Sequence, residues 1–280
     1  MKRKLGMFSP EITRDTVERL FDAAAVYGFE AMQFDFLSVC AEEMPHAVDA
    51  KTIRRIKNAS LASGVGICAV NGTFNMIHPD KCEVEDGIER FRAVAAAAAE
   101  LESPLITLCT GTRCRESMWR PHAGNETAQA WDDMIDTCGK LCDIAAANGV
   151  LLGVETEASN VVNTAEKALK LVAGSGLSGL KIIFDPANLF HAGDAHPENA
   201  VEIVEHAFGL LKDHIALAHG KDIHAGDGID FTSAGRGIVP YERMFALLDG
   251  IGYDGPVVLH GIHDESEFAY STQFIQRLMK

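Results

Sequence analysis

Four polar side chains stand where apolar runs of the chain come to an end. Glu155 closes L-L-G-V-E, Asp185 closes K-I-I-F-D, His219 interrupts I-A-L-A-H-G-K-D and His260 closes P-V-V-L-H. A carboxylate or imidazole at the end of a buried strand is costly unless it is paired or metal-bound. Two carboxylates and two imidazoles facing one point suit a single divalent ion: Mn²⁺, Co²⁺, Zn²⁺ or Fe²⁺. Mg²⁺ is less favoured, because imidazole is softer than the oxygen ligands it prefers. Each residue alone has a plainer reading: a lone strand-end histidine as a hydrogen-bonded pocket residue, Asp185 before Pro186 as a turn cap. Recurrence on four successive strands is what selects a metal site.

Those ends meet only if the strands are neighbours. Eight short, near-continuously apolar runs supply them: Leu5–Ser9, Ala31–Phe36, Gly66–Gly72, Leu105–Gly111, Leu151–Thr156, Lys181–Asn188, Ile215–Asp222 and Pro256–Gly261. Runs that do not alternate read as parallel strands covered on both faces. Helical patterns separate them at Thr13–Tyr27, Ala47–Ser63, Val84–Leu101, Thr127–Asn148, Ala165–Ala173, Pro197–Lys212 and Tyr241–Asp249, and a last one spans Glu265–Met279. Gly28, Gly64, Gly149, Gly174 and Gly250 follow helices as C-caps. Strict strand–helix alternation predicts an α/β chain forming a single (β/α)₈ TIM barrel, one domain over residues 1–280. A Rossmann-type sheet would need a Gly-rich turn after the first strand, and Ser9-Pro10-Glu11-Ile12 offers none. Two connections, Thr112–Thr127 and Ile223–Pro240, are longer than a barrel needs and fall at its C-terminal face.

The composition of the 280 residues, 47% hydrophobic and 23% charged, is that of an ordinary globular chain. A formal charge of −15 opposes nucleic-acid binding. No uncharged apolar stretch is long enough to span a membrane. The seven cysteines include no C-x-x-C pair and are expected to be mostly free and reduced, as in a cytoplasmic enzyme. Pro10 and Glu11 interrupt the run after the basic Met1-Lys2-Arg3-Lys4 start too early for a signal peptide.

The eight-unit layout resembles the xylose isomerase-like TIM-barrel superfamily, and within it the sugar phosphate isomerase/epimerase family. The resemblance covers nearly the whole chain and is sharpest from Leu151 onward. Glu155 stands as the family's fifth-strand metal glutamate does. F-D-P-A-N at Phe184–Asn188 resembles the sixth-strand motif, with Asp185 in the metal position, and H-G-K-D at His219–Asp222 is similar to the His-x-Lys-Asp-like motif of the seventh. G-R-G at Gly235–Gly237 and G-Y-D-G-P-V-V-L at Gly252–Leu259 are likewise similar. The departure is the eighth strand. Members that epimerise or isomerise ketoses typically carry there a metal-bound glutamate that also moves a proton, where this chain has His260. An imidazole can serve as ligand and as base.

What the resemblance implies is a metal-dependent isomerase or epimerase acting on a sugar, sugar acid or cyclitol through a metal-stabilised enediolate. Glu155 is then the first-choice base and His260 its partner, whereas Glu157 is expected higher in the loop and solvated. Substrate contacts are expected from Asn75 and His78 beyond the third strand and from the Arg113 guanidinium fork. Trp119 would stack on a ring, His122 shares its loop, and Asn188, Lys221, Asp222 and Arg236 complete the set. Two alternatives stay open: a lyase or dehydratase on the same scaffold, and a non-catalytic sugar-binding protein. Abasic-site endonucleases share the scaffold, but need a histidine where Asn188 stands and a basic surface. No Gly-rich phosphate motif occurs, so a free sugar fits at least as well as a phosphorylated one. Such barrels are often dimers or tetramers, so a homo-oligomer is compatible with this reading.

Overall fold

The structure, a computed structural model, describes residues 3–40 and 42–279; the Met1-Lys2 start lies outside them. Among the described residues nine strands follow one another: β1 (Leu5–Phe8), β2 (Ala31–Phe34), β3 (Gly66–Asn71), β4 (Leu105–Leu108), β5 (Leu151–Glu155), β6 (Leu180–Phe184), β7 (Ile215–Ile223), β8 (Phe231–Ser233) and β9 (Val257–Leu259). All but β8 come from the eight apolar runs. Those eight pair in parallel, each with the next, and β9 joins β7 to β1 to close the barrel. The sequence pattern did not predict β8. It pairs antiparallel with the outer end of β7, Lys221 opposite Ser233. The long connection after the seventh strand is therefore a two-stranded ribbon standing on the rim.

The helices are α1 (Val17–Val26), α2 (Leu37–Cys40), α3 (Ala50–Ser63), α4 (Lys81–Glu100), α5 (Ala128–Ala147), α6 (Ala165–Gly174), α7 (Pro197–Leu211), α8 (Tyr241–Gly250) and α9 (Phe268–Leu278). Side-chain caps set several starts: Thr16, Asp49, Asp80, Thr127 and Thr164 each accept a first-turn N–H. The Thr16 and Asp49 caps make α1 and α3 begin later than the apolar periodicity predicts. Gly174 and Gly250 end their helices from within. The left-handed turns there belong to Gly176 and Gly252, at φ +76° and +67°. All seven cysteines are free, and Cys138 and Cys142 are buried in α5. Among the described residues no helix is long and apolar enough to cross a membrane.

The period of two along each strand divides the core. Residues such as Phe34, Phe184 and Met7 pack outward against the helices. Ala69, Leu105, Ile183, Leu217 and Val258 point inward and plug the barrel floor. Gly153 makes room for that plug, since a Cβ there would lie 2.9 Å from Ile183 Cγ1 and 3.1 Å from Leu105 Cδ2. Two residues farther along each strand, the inward positions turn polar.

Candidate functional site

Glu155, Asp185 and His219 are carried to one point by three adjacent strands. Their ligand atoms all lie within 4.8 Å of one another. His219 Nδ1 is 3.4 Å from Glu155 Oε1 and 3.4 Å from Asp185 Oδ2. His219 and Asp185 are fully shielded, and Glu155 keeps 12% of its side chain exposed toward the mouth. Asp185 Oδ2 also lies 3.2 Å from Lys221 Nζ, yet among the described residues neither it nor His219 Nδ1, both buried, has a hydrogen-bond partner. Such orphaned atoms, facing one another, fit a cation bound between them. Asp185 is fixed by Ala187 N–H donating to its Oδ1 at 2.9 Å, and Asn188 Nδ2 donates to Glu155 Oε1 at 2.6 Å.

The charges hold one another in place. Burial works against an ionised Asp185, but Lys221 and His219 overcome it and keep the carboxyl well below the usual range. Burial likewise opposes the charged forms of His219 and Lys221. The Glu155 and Asp185 carboxylates bring His219 up to about 9, and Asp185, Glu155 and Glu157 hold Lys221 above its ordinary value.

His260, expected as the fourth ligand, is not in this cluster. Its ring stacks on that of His219 at 5.0 Å between centroids, and on Phe8 at 4.6 Å on the other side. Stacked on both rings, the imidazole lies flat against its neighbours and does not join the trio. Burial, then the charges of His219 and Lys221, hold it well below the ordinary histidine range, so it is neutral.

Above the cluster opens a cavity of about 170 Å³, lined by Glu155, Asn188, Lys221, His260 and Trp119 among the expected residues. Trp119 stands at the rim, half exposed. The other expected substrate contacts lie elsewhere. Asn75 clamps Thr112 through both its main-chain N–H and C=O. His78 and Arg113 line a separate hollow between α4 and α5, where Arg113 pairs with Asp133. His122 caps the 3₁₀ turn Ala123–Glu126. Arg236 pairs with Glu267 and lies over the Tyr270 ring. Asp222 faces away from the mouth, its carboxylate accepting the backbone N–H groups of Ile223 at the end of β7 and of Gly235, Gly237 and Val239 in the segment after β8.

The cavity also contains residues that the sequence reading did not single out: Phe8, Gln33, Asp35, Asn71, Thr73, Thr107 and Cys109. All but Phe8 follow from the criterion that found Glu155, polar residues at strand ends, applied to β2, β3 and β4. Glu157 was expected to be solvated. Instead it lines the cavity, and burial, with the Glu155 charge adding, raises its pKa.

Glu11, in the turn after β1, is a further buried acid, 3.9 Å from His260 Nδ1 and only 10% exposed. Burial pushes its carboxyl up to about 8, against the N–H groups of Ile262 and Gly261 that pull it down. The folded value lies above the unfolded one, so stability is intact below about pH 4.5 and is lost as pH rises toward 8. Glu11→Gln is expected to raise unfolding free energy at pH 8.5 by up to about 5 kcal/mol, the rise from 4.5 to about 8 at ~1.4 kcal/mol per unit, and the gain should vanish at pH 4. Urea titrations at the two pH values check this, and equal gains at both would remove the carboxyl as the cause.

A family model described as a xylose isomerase-like TIM barrel matches residues 21–278. An inosose dehydratase from Geobacillus thermodenitrificans is 23% identical over 154 residues, 49% of this chain and 49% of that protein. The match thus spans about half the length of that relative. Among solved structures, a xylose isomerase domain protein from Planctomyces limnophilus superposes with a TM-score of 0.75 at 16% identity, covering 99% of this chain and 96% of the other. A 3-keto-D-glucoside 4-epimerase from E. coli gives 0.74 at 16% identity, with 99% of both chains covered. At such identities the likeness to these two structures is one of fold.

Proposed function

The chain belongs to the xylose isomerase-like TIM-barrel family, and from that premise we propose that it is a divalent-metal-dependent isomerase or epimerase moving a proton beside the carbonyl of a monosaccharide or cyclitol. The observation that carries this reading is the convergence of Glu155, Asp185 and His219 beneath an open cavity, with two of their polar atoms buried and unbonded. Mn²⁺, Co²⁺, Zn²⁺ or Fe²⁺ held by those three side chains would polarise a substrate carbonyl and favour loss of the neighbouring proton.

Glu155 is the member of the trio that reaches the cavity, so it is the residue placed to take that proton. Asn188 steadies it by donating to Oε1, and Lys221 donates in turn to Asn188 Oδ1. The charged Lys221 is also available to a substrate oxygen. Phe8, Pro10 and Trp119 give the rim an apolar surface for the C–H face of a ring. His260 also borders the cavity, but burial and the His219 and Lys221 charges oppose its taking a proton, so it is placed to meet substrate as a neutral ring. The volume is below the ~300 Å³ lower end of drug-sized sites, which suits a single ring.

Dehydration is the second reading, favoured by Glu157. Burial, with the Glu155 charge adding, holds its carboxyl toward the protonated form against the pull of Lys221, which suits it to donate to a departing hydroxyl. The matched relative is itself an inosose dehydratase. Incubation with ketohexoses and ketocyclitols in D₂O with Mn²⁺ separates the two. Deuterium uptake with no loss of water supports isomerisation, and an unsaturated product supports dehydration. Neither outcome, in a protein that purifies without metal, would leave a binding protein.

Metal removal gives another expected result. A site held at about 100 times its Kd contributes about 2.7 kcal/mol to folding. Treatment with EDTA should therefore lower the Tm and end turnover, and Mn²⁺ or Co²⁺ should restore both better than Mg²⁺ does. An EDTA-treated protein with unchanged melting and activity would dispose of the metal.

A further inference from the structure

Across the barrel from the trio, β2, β3 and β4 contribute buried polar side chains that join in one line. His219 Nε2 lies 2.9 Å from Gln33 Oε1, Gln33 Nε2 is 3.5 Å from Thr107 Oγ1, Thr107 Oγ1 is 3.2 Å from Asn71 Oδ1, and Asn71 Nδ2 is 2.6 Å from Asp35 Oδ2. All five residues are buried. The far end fixes the direction of every link. Burial raises the Asp35 carboxyl to about 6; once ionised it only accepts, so Asn71 must turn its NH₂ to it. The same orientation is required from the other side, because the Thr73 N–H donates to Asn71 Oδ1 at 3.2 Å. The Thr107 hydroxyl proton then goes to Asn71 Oδ1, leaving its oxygen to accept from the Gln33 NH₂. Gln33 is left facing His219 with its carbonyl, which demands a proton on Nε2. When the ring is neutral, its bare nitrogen is Nδ1, the atom aimed at Glu155 and Asp185.

We propose that Asp35, Asn71, Thr107 and Gln33 are positioning residues that select the Nε2–H form of His219 and so present Nδ1 to a divalent cation. The inference rests on the cation site proposed above. A ligand histidine commonly owes its tautomer and orientation to a partner on its other nitrogen. Here the partner is a neutral amide whose own orientation is dictated by a carboxylate three side chains farther along the line.

Zinc, which is diamagnetic, gives the direct test in the full-length protein. ¹⁵N-histidine NMR of the zinc-loaded chain should show His219 with metal on Nδ1 and a proton on Nε2. In calorimetry, Gln33→Leu should weaken Zn²⁺ binding by about 10–100-fold, the usual effect of removing such a partner. Gln33→Glu, which still accepts from Nε2–H, should restore binding to within a few-fold of the parent. A purely structural role for Gln33 would not be rescued in this way. Zinc on Nε2 in the parent protein overturns the proposal whether or not the variants fold, and so does unchanged affinity in Gln33→Leu. A parent chain that binds no zinc removes the cation site itself, and this inference with it.

Discussion

Glu155→Gln is expected to lower turnover by about a thousandfold or more, within the range for loss of a positioned base, while the Tm stays within a few degrees of the parent. Glutamine has nearly the same shape, and its Oε1 can still accept the 2.6 Å bond from Asn188 Nδ2. What disappears is the negative charge facing His219 Nδ1 and the ability to take a proton. Two measurements follow from that division. The rate of solvent-deuterium exchange should fall with turnover, because both need the same base. The affinity for Co²⁺ should fall as well, because one of the three carboxylate or imidazole donors has become a neutral amide. Full activity in this variant would take Glu155 out of the mechanism, and with it the proposed reaction.

The second large effect concerns folding. Asp222 Oδ1 accepts from Ile223 N–H and Val239 N–H, each at 2.9 Å, and Oδ2 accepts from Gly235 N–H and Gly237 N–H, each at 3.0 Å. Asp222→Ala strands four backbone donors; the bonds from Ile223 and Val239 are buried and those from Gly235 and Gly237 half-buried. Bonds to a charged acceptor contribute about 1.5–3 kcal/mol each, less whatever the relaxed ribbon regains from water, so the expected loss is about 4 kcal/mol. At ~2–4 °C per kcal/mol for a chain of this size, the Tm should drop by roughly 10 °C. The G-R-G segment belongs to the same device: a Cβ on Gly237 would lie 2.1 Å from Ile223 O, and Gly235 has φ +86°. Arg236→Ala is the internal control, since its exposed pairing with Glu267 contributes about 0–1 kcal/mol. If the two variants melt together, the Asp222 cradle is not what holds the ribbon.

The eight barrel strands were legible because each is an apolar run bounded by a change of period, and the helices between them carry their caps in the sequence. β8 was not, since Phe231–Ser233 is three residues long and is held by its partner on β7, not by a pattern of its own. The trio stood out because an ionisable group inside an apolar run contrasts strongly with its neighbours. Asp35, ionisable within Ala31–Phe36, carries the same contrast as the trio and was missed. Gln33, Asn71 and Thr107 are neutral and contrast weakly. Their inward facing emerges only from the alternation with Phe34, Val70 and Ile106, which pack against the helices. The same alternation bears on Lys221 and Asp222, adjacent on one strand and hence directed to opposite sides. Asn75, His78, Arg113 and His122 were misplaced because lying past a strand end fixes where a residue falls along the chain, not which way its loop turns.

The plug of Ala69, Leu105, Ile183, Leu217 and Val258 makes the barrel a cup instead of a pipe. Nothing drains through its base, so ligand, water and protons share one doorway. On the proposed mechanism, a hydrogen lifted onto Glu155 while a sugar ring filled the mouth would have no separate exit to bulk water. It would return to the same molecule more readily than it exchanged, so the isotope label in product should fall short of one atom per turnover.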